Sequence, residues 1–182
     1  MAAHSSVLGQ QRGITLIEAM IVLAIVAILV GIGLPSLGAL SMRAELAGAA
    51  AQVETDLQFA RSQAVALNRS VVVTLREANG ATCYMVHTGP AALCECGGQP
   101  AAARCVGDSE LLRAVSFNAR DAVQVRAASK SVTFDAMKGT VTPTATIRIE
   151  ARDGRALHQV VNLLGRVRTC SPDGKVASER RC

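Results

Sequence analysis

The stretch GITLIEAMIVLAIVAILVGIGL, residues 13–34, decides how the rest of this chain is interpreted. Glu18 is its only charged residue. The segment from Ile14 to Leu34 would form a helix of about 30 Å, enough to cross the hydrocarbon core of a bilayer. Arg12 precedes the apolar run and favours a cytoplasmic N-terminus. The sequence therefore predicts a single-pass membrane helix.

Glu18 distinguishes this segment from an ordinary signal peptide or a plain anchor. A carboxylate inside an apolar helix costs roughly 2.5–3.5 kcal/mol on insertion scales, so it needs a partner. Cleavage after Gly13 would create one, because the new amine of Ile14 lies one helical turn before Glu18. The amine of a neighbouring subunit would serve equally well. An ordinary signal peptide is cut after its apolar region, whereas Gly13 precedes it.

This combination resembles the type IV prepilin motif, in which a dedicated peptidase cuts after glycine and methylates the new N-terminus. The family usually has phenylalanine where this chain has Ile14. The resemblance implies cleavage between Gly13 and Ile14, N-methylation of Ile14, and a docking role for Glu18. Prepilin peptidase, the inner membrane and other pilin or pseudopilin subunits are the partners it implies.

Beyond the apolar run the sequence predicts that the helix continues to about Leu67. Pro35 indicates a kink in this helix and not its end. Apolar residues then recur at spacings of three and four, which predicts one stripe packed on a sheet: Leu46, Ala50, Val53, Leu57, Ala60, Ala64 and Leu67. Charged residues are expected mostly on the other faces: Arg43, Glu45, Glu54, Asp56, Arg61 and Arg69.

After Asn68 the pattern changes to short strands rich in β-branched residues, typical of antiparallel sheet. The predicted strands are Val71–Leu75, Cys83–Thr88, Leu111–Phe117, Ala122–Arg126, Ser131–Phe134, Ala145–Glu150 and Leu157–Leu163. Asparagine, lysine or aspartate followed by glycine marks turns between many of them. No clear period is present between Gly89 and Gly107.

The order of helix and sheet resembles the GspH/FimT family of minor pilins and pseudopilins. The helical stretch Asp56–Ala64, the strand after Asn68 and the segment Val132–Asp135 with Gly139 carry the resemblance. It implies an α+β, type IV pilin-like fold, with a long N-terminal helix packed on antiparallel sheets. The implied segments are a leader (1–13), a transmembrane and assembly helix (14–40) and a periplasmic head (41–182). In the head, helix extends to about residue 68, followed by a β-rich region with a basic C-terminal segment.

Six cysteines behind a secretion signal indicate disulfides, and six allow 15 pairings. We favour Cys170 with Cys182, a bridge that would tether the C-terminal tail. The remaining four would pair with one another: Cys83, Cys94, Cys96 and Cys105. Zinc is disfavoured because Cys94-Glu95-Cys96 lacks the usual ligand spacing. No metal and no cofactor are expected.

No catalytic constellation is apparent in the sequence, so an enzyme is not expected. The three histidines are His4, His87 and His158, and His4 lies in the leader. A Ser-His-Asp pattern, an HExxH motif and a phosphate-binding glycine loop are all lacking from the sequence.

The basic excess of the mature chain lies in its last 35 residues, which carry eight basic and four acidic side chains. Within them, Gly165-Arg166-Val167-Arg168 would place both arginines on one face, about 6.7 Å apart, if this piece is extended. Each guanidinium can hold a phosphate by two parallel hydrogen bonds. Gly165 would let the backbone turn there and approach the ligand closely. Arg180 and Arg181 could widen the patch. Because aromatic residues are scarce, we expect contact with the duplex backbone and not base stacking.

In the FimT branch a similar C-terminal G-R-x-R motif is linked to DNA capture during natural transformation. That resemblance implies a minor pilin, in or at the tip of a type IV pilus, that contacts double-stranded DNA through Arg166 and Arg168. The alternative is a GspH-like pseudopilin of a type II secretion system without DNA binding. Gene neighbourhood, either pilus and competence genes or secretion-channel genes, would separate the two.

Overall fold

The computed structural model describes residues 15–78, 80–97 and 102–182. The chain divides into two compact units, Met1–Ser41 and Met42–Cys182. A single long helix, α1 (Leu16–Leu67), contributes residues to both units. It runs through position 35, so the proline does not end it, and its last residue is the one predicted.

Local side-chain and backbone chemistry explains both ends of α1. At the start, the Glu18 N–H donates to Thr15 Oγ1 at 3.3 Å, a typical threonine N-cap. The Glu18 carboxylate lies in the first turn, where it complements the positive end of the helix dipole. At the end, Asn68 adopts a positive φ of 50° and the Arg69 N–H donates to the Ala64 carbonyl at 3.2 Å. Asparagine tolerates this left-handed conformation and so stops the helix.

Eleven strands are formed by the described residues after α1, and a short 3₁₀ turn (Ala91–Leu93) precedes the third. They are β1 (Val71–Ala78), β2 (Ala81–Thr88), β3 (Cys94–Glu95), β4 (Arg104–Cys105), β5 (Leu111–Phe117), β6 (Val123–Ala127), β7 (Ser131–Phe134), β8 (Val141–Thr142), β9 (Ala145–Ala151), β10 (Ala156–Val161) and β11 (Val167–Cys170). All seven predicted strands are present. The strands that were not predicted are short. Two residues each, as in β3, β4 and β8, are too few to show a period, and β11 has four.

The strands form two main antiparallel sheets, and this confirms the α+β fold. One sheet has the order β5-β2-β1-β7-β8 and the other the order β11-β10-β9-β6. A separate β3–β4 pair lies in the segment between Gly89 and Gly107, which we call the cysteine-rich loop. In the second sheet β11 pairs only with β10, so it is an edge strand within the described structure.

The apolar stripe of α1 lies in the core of the second unit together with both main sheets. Its buried members are Leu46, Ala50, Val53, Leu57, Ala60 and Ala64. The prediction that Leu67 belongs to this stripe is wrong, since its side chain is 40% exposed at the end of the helix. Along β9 the burial alternates, and Ala145, Ile147 and Ile149 contribute the inward face.

The prediction that Asp56 lies away from the core is also wrong. Asp56 is 1% exposed and receives two hydrogen bonds, from the Tyr84 hydroxyl at 2.5 Å and from the Arg113 guanidinium. Burial, and then the bond to Asp56, raises the pKa of Tyr84, so the phenol remains protonated and donates. A carboxylate is tolerated inside because both of its oxygens have donors.

The first unit exposes an almost continuous apolar surface along α1. Large side chains from Leu16 to Val30 are roughly half or more exposed: Leu16, Ile17, Met20, Ile21, Val22, Leu23, Ile25, Val26, Ile28, Leu29 and Val30. Among the described residues, no helix has an apolar stretch long enough to span a membrane.

Candidate nucleic-acid interface

A tight turn holds the backbone of Arg166 at the start of β11. The Gly165 N–H donates to the Asn162 carbonyl at 2.9 Å, and the Arg166 N–H donates to Asn162 Oδ1 at 2.9 Å. In return the Asn162 N–H donates to the Arg166 carbonyl at 3.1 Å. Sequence reasoning missed Asn162. The signal that could have identified it is an asparagine three residues before a glycine at a strand end, which is common turn chemistry.

Gly165 is required by both conformation and space. Its φ is +71°, in the left-handed region that favours glycine. A Cβ there would lie 3.0 Å from the Gly139 carbonyl oxygen and 3.4 Å from Arg61 Cδ and Nε. The turn therefore packs against the β7–β8 connection and the side chain of Arg61 from α1. Sequence alone gave no indication that Arg61 would meet this turn.

We expect Gly165→Ala to destabilise the fold by about 2–3 kcal/mol, because positive φ and a tight backbone contact add together. The measurement is urea unfolding of the full chain in a non-ionic detergent. Gly154→Ala is the matched control, since Gly154 has φ +80° but nothing within 4 Å of its Cβ position. Equal losses for the two variants would contradict the role assigned to the Gly139 contact.

Arg166 and Arg168 both present exposed side chains. The neighbouring Thr169 points inward, because its hydroxyl lies 3.1 Å from both Glu54 Oε2 and Gln159 Oε1. Strand alternation therefore places Arg168 on the outward face of β11. Neither arginine forms an ion pair with another described residue. Two cations at a sheet edge are thus available to an external anion.

The C-terminal tail is folded back onto the end of β11. Cys170 and Cys182 form a disulfide, the pairing favoured from the sequence, with 4.9 Å between their Cα atoms. The Ser171 N–H donates to the Arg180 carbonyl at 2.8 Å, and the Cys182 N–H donates to the Ser171 carbonyl at 3.2 Å. The side chains of Arg180 and Arg181 are exposed. Chain geometry then keeps the Cα of Arg181 within about 15 Å of that of Arg168.

The other four cysteines form one bridge from the cysteine-rich loop to β2 and one bridge within that loop. Cys83 bonds to Cys96 and Cys94 bonds to Cys105. The sulfurs of Cys94 and Cys105 and one ring nitrogen of His87 lie within 4.8 Å of one another, a grouping that could hold a metal. In the disulfide form these sulfurs are not thiolates, which is the state that binds metals.

His87 is fully buried in β2 beside this loop. Its Nδ1 lies 3.1 Å from the Thr88 carbonyl oxygen and must donate, so Nε2 accepts from the Thr74 hydroxyl at 2.8 Å. Burial lowers the pKa of His87 and keeps the ring neutral. With both nitrogens bonded to protein atoms, the ring has a structural role in this form. His4 lies outside the described residues.

The predicted processing site, Gly13 and Ile14, also lies outside the described residues. Glu18 is exposed on α1 and its carboxylate makes no ion pair with another described residue. Its backbone N–H is capped by Thr15, a role that does not require the carboxylate.

Two family models match this sequence. Residues 49–165 match the model described as type II transport protein GspH. The chain belongs to the GspH family. Residues 8–34 of this GspH-family protein match the prokaryotic N-terminal methylation motif, which places the chain among type IV pilin-like subunits. Such subunits are structural proteins of pili and pseudopili.

Solved structures that match this chain include a type IV minor pilin, FimU, from Pseudomonas aeruginosa strain PAO1. In one crystal form (space group P21) it is 22% identical, with a TM-score of 0.47, and the match covers 69% of this chain and 88% of FimU. In a second form (space group P65) the identity is 20% and the TM-score 0.41, with 71% and 90% covered. No curated protein sequence matches this GspH-family chain.

Proposed function

We propose that this protein is a minor type IV pilin, assembled in or at the tip of a pilus, that binds double-stranded DNA without sequence preference for natural transformation. The observation that carries the proposal is that Arg166 and Arg168 are exposed at the edge of the second sheet and form no ion pair with another described residue. The resemblance of Gly165–Arg168 to the G-R-x-R motif of the FimT branch supports the same ligand.

The turn chemistry explains why these two arginines suit phosphates. Asn162 and Gly165 fix the backbone of Arg166, and pairing with β10 fixes that of Arg168, so little backbone ordering remains to be lost on binding. Guanidinium groups bind phosphate oxygens by paired hydrogen bonds, and contacts to phosphate carry no base-sequence information. Arg180 and Arg181, held in the folded-back tail, add positive charge nearby. A site of this kind favours the duplex backbone of any DNA.

For assembly, we infer that prepilin peptidase cuts after Gly13 and methylates Ile14, and that Glu18 then guides docking. Residues 14–40 would anchor the subunit in the bacterial inner membrane with a cytoplasmic N-terminus, and residues 41–182 would form the periplasmic head. The extensive exposed apolar surface between Leu16 and Val30 supports this inference, because such surface needs lipid or neighbouring helices as cover.

The second candidate is a GspH-like pseudopilin of a type II secretion system without DNA affinity. The observation that favours it is the family model itself, which is described as a type II transport protein. In that case Arg166 and Arg168 would be solvated surface residues without a ligand. Secretion-channel genes would be expected beside the gene for this protein.

The test is DNA binding by the full chain in a non-ionic detergent across a salt series. Wild type should bind duplexes of unrelated sequence equally well. Arg166→Ala/Arg168→Ala should reduce the log–log salt slope by about two, at roughly 0.9 per phosphate contact. If the variant and wild type have equal affinity at 1 M salt, this difference in slope makes the variant bind about 60-fold more weakly at 0.1 M salt.

Arg43→Ala/Arg104→Ala is the matched control, because it removes the same charge from exposed arginines on α1 and on the cysteine-rich loop. That variant should retain the wild-type slope. If wild type does not bind even at low salt, the DNA proposal is wrong and the pseudopilin becomes the preferred function.

A further inference from the structure

The outward face of the second sheet carries basic residues that lie far from the G-R-x-R segment in sequence. On β10, Leu157, Gln159 and Val161 are buried, and Gln159 Nε2 donates to the Ala50 carbonyl of α1 at 2.9 Å. Strand alternation therefore turns His158 and Val160 outward. Arg168 is paired with Val160 in the ladder, and Arg148 with His158, so both arginines share this outer face.

Register then brings a third arginine onto the same face. Arg126 of β6 is directly opposite Arg148 of β9, and both side chains are exposed. Directly opposed like charges destabilise a sheet. The ion pairs formed by described residues are all elsewhere: Arg113–Asp56, Arg155–Asp153 and Lys175–Asp173. Arg126 and Arg148 thus lie side by side, and neither forms an ion pair with another described residue.

Other titratable groups on this face do not cancel that charge. Glu150, partly buried, follows Arg148 by two residues on β9 and is opposite Gln124. Burial and the charge of Arg148 lower the pKa of His158, so its ring is neutral at neutral pH. Asp173 also acts on His158, but it is paired with Lys175, so three arginines with Glu150 leave a net positive face.

We propose that Arg126 and Arg148 are a second set of phosphate contacts, so that bound DNA lies across the strands of the second sheet. This rests on the function proposed above and extends its site. The Cα of Arg148 is two strand spacings across the sheet and two residues along the strand from that of Arg168, a distance of about 12 Å. That distance is close to the width of the major groove of B-DNA, about 12 Å. The two arginine sets can therefore hold phosphates on the two strands that border one groove.

The experiment is the salt series on the full chain in detergent, with Arg126→Ala/Arg148→Ala. We expect the slope to fall by about two and the affinity at 0.1 M salt to fall about 60-fold. Arg126→Lys/Arg148→Lys should retain the wild-type slope, because phosphate contact needs only the charge. Urea unfolding should show no loss of stability in the alanine variant, since its removal of opposed like charges relieves repulsion.

The outcomes separate this inference from the function on which it rests. If wild type fails to bind DNA, the proposed function fails. A wild-type slope in Arg126→Ala/Arg148→Ala, together with a reduced slope in Arg166→Ala/Arg168→Ala, overturns the second contact set and leaves the function intact. A loss of affinity accompanied by a loss of folding stability would assign these arginines a structural role and overturn the inference equally.

Discussion

Glu18→Ala should remove this subunit from its filament while leaving membrane insertion and cleavage intact. Insertion should improve, since a carboxylate in an apolar helix costs roughly 2.5–3.5 kcal/mol. Docking should fail because the amine of Ile14, on this subunit or its neighbour, loses its counter-charge in a non-aqueous setting. Truncating one partner of such a pair costs about 2–5 kcal/mol, so the amount in sheared filaments should fall at least about 30-fold. Immunoblots of sheared filaments and of cell membranes measure both quantities.

Thr15→Ala is the control that the structure provides. It removes the hydroxyl that caps the Glu18 N–H and leaves the carboxylate untouched. Loss of an N-cap costs about 1 kcal/mol of helix stability, so this variant should still assemble. If Thr15→Ala and Glu18→Ala are lost from filaments equally, the start of the helix, and not the charge, governs assembly. Normal amounts of Glu18→Ala in sheared filaments would contradict the docking role altogether.

Periodicity was sufficient to predict the helix and most of the strands. The stripe from Leu46 to Ala64 is buried as a 3.6-residue repeat requires, and β-branched content with turn signals identified β1, β2 and β9. These features are local, because each residue's face follows from its neighbours in sequence. The β3–β4 pair could not be found in this way, since two residues show no period and Cys94 and Cys105 hold them in place.

Contacts between distant residues were beyond such reasoning. Asp56 meets partners 28 and 57 residues away, and nothing local distinguishes it from Glu45 or Glu54 on the same helix. Likewise, Arg126 and Arg148 become neighbours only through the β6–β9 register. A one-residue shift would turn one of them inward, so sequence alone could not bring the two arginines together.

The glycine of the G-R-x-R segment shows where motif reasoning was incomplete. Sequence suggested that Gly165 lets the backbone turn and approach a ligand. The turn is present, and the glycine is buried against the Gly139 carbonyl and the side chain of Arg61. The glycine therefore sets the position of Arg166, and within this segment the exposed side chains are those of Arg166 and Arg168.

Asp56→Ala should lower the free energy of unfolding by about 3 kcal/mol, the largest stability loss we expect from an acidic residue here. The variant leaves the buried Tyr84 hydroxyl without its acceptor, at a cost of about 1–3 kcal/mol, and removes a charged bond from Arg113. The guanidinium of Arg113 also lies 4.6 Å from the centre of the Phe59 ring, a contact that orders the junction of α1 and β5. Urea unfolding of the full chain in detergent measures the loss.

A double-mutant cycle with Tyr84→Phe distinguishes this network from a general effect of charge. Removing both partners leaves no buried donor unsatisfied, so Asp56→Ala/Tyr84→Phe should cost less than the sum of the single changes by about 1–2 kcal/mol. Glu45→Ala, an exposed acid on the same helix, should change stability by less than about 0.5 kcal/mol. Additive single changes, or an equal loss in Glu45→Ala, would show that Asp56 does not join α1 to β2 through Tyr84. The expected coupling would show that the carboxylate of Asp56, which periodicity placed on the wrong face of α1, joins the helix to the sheet.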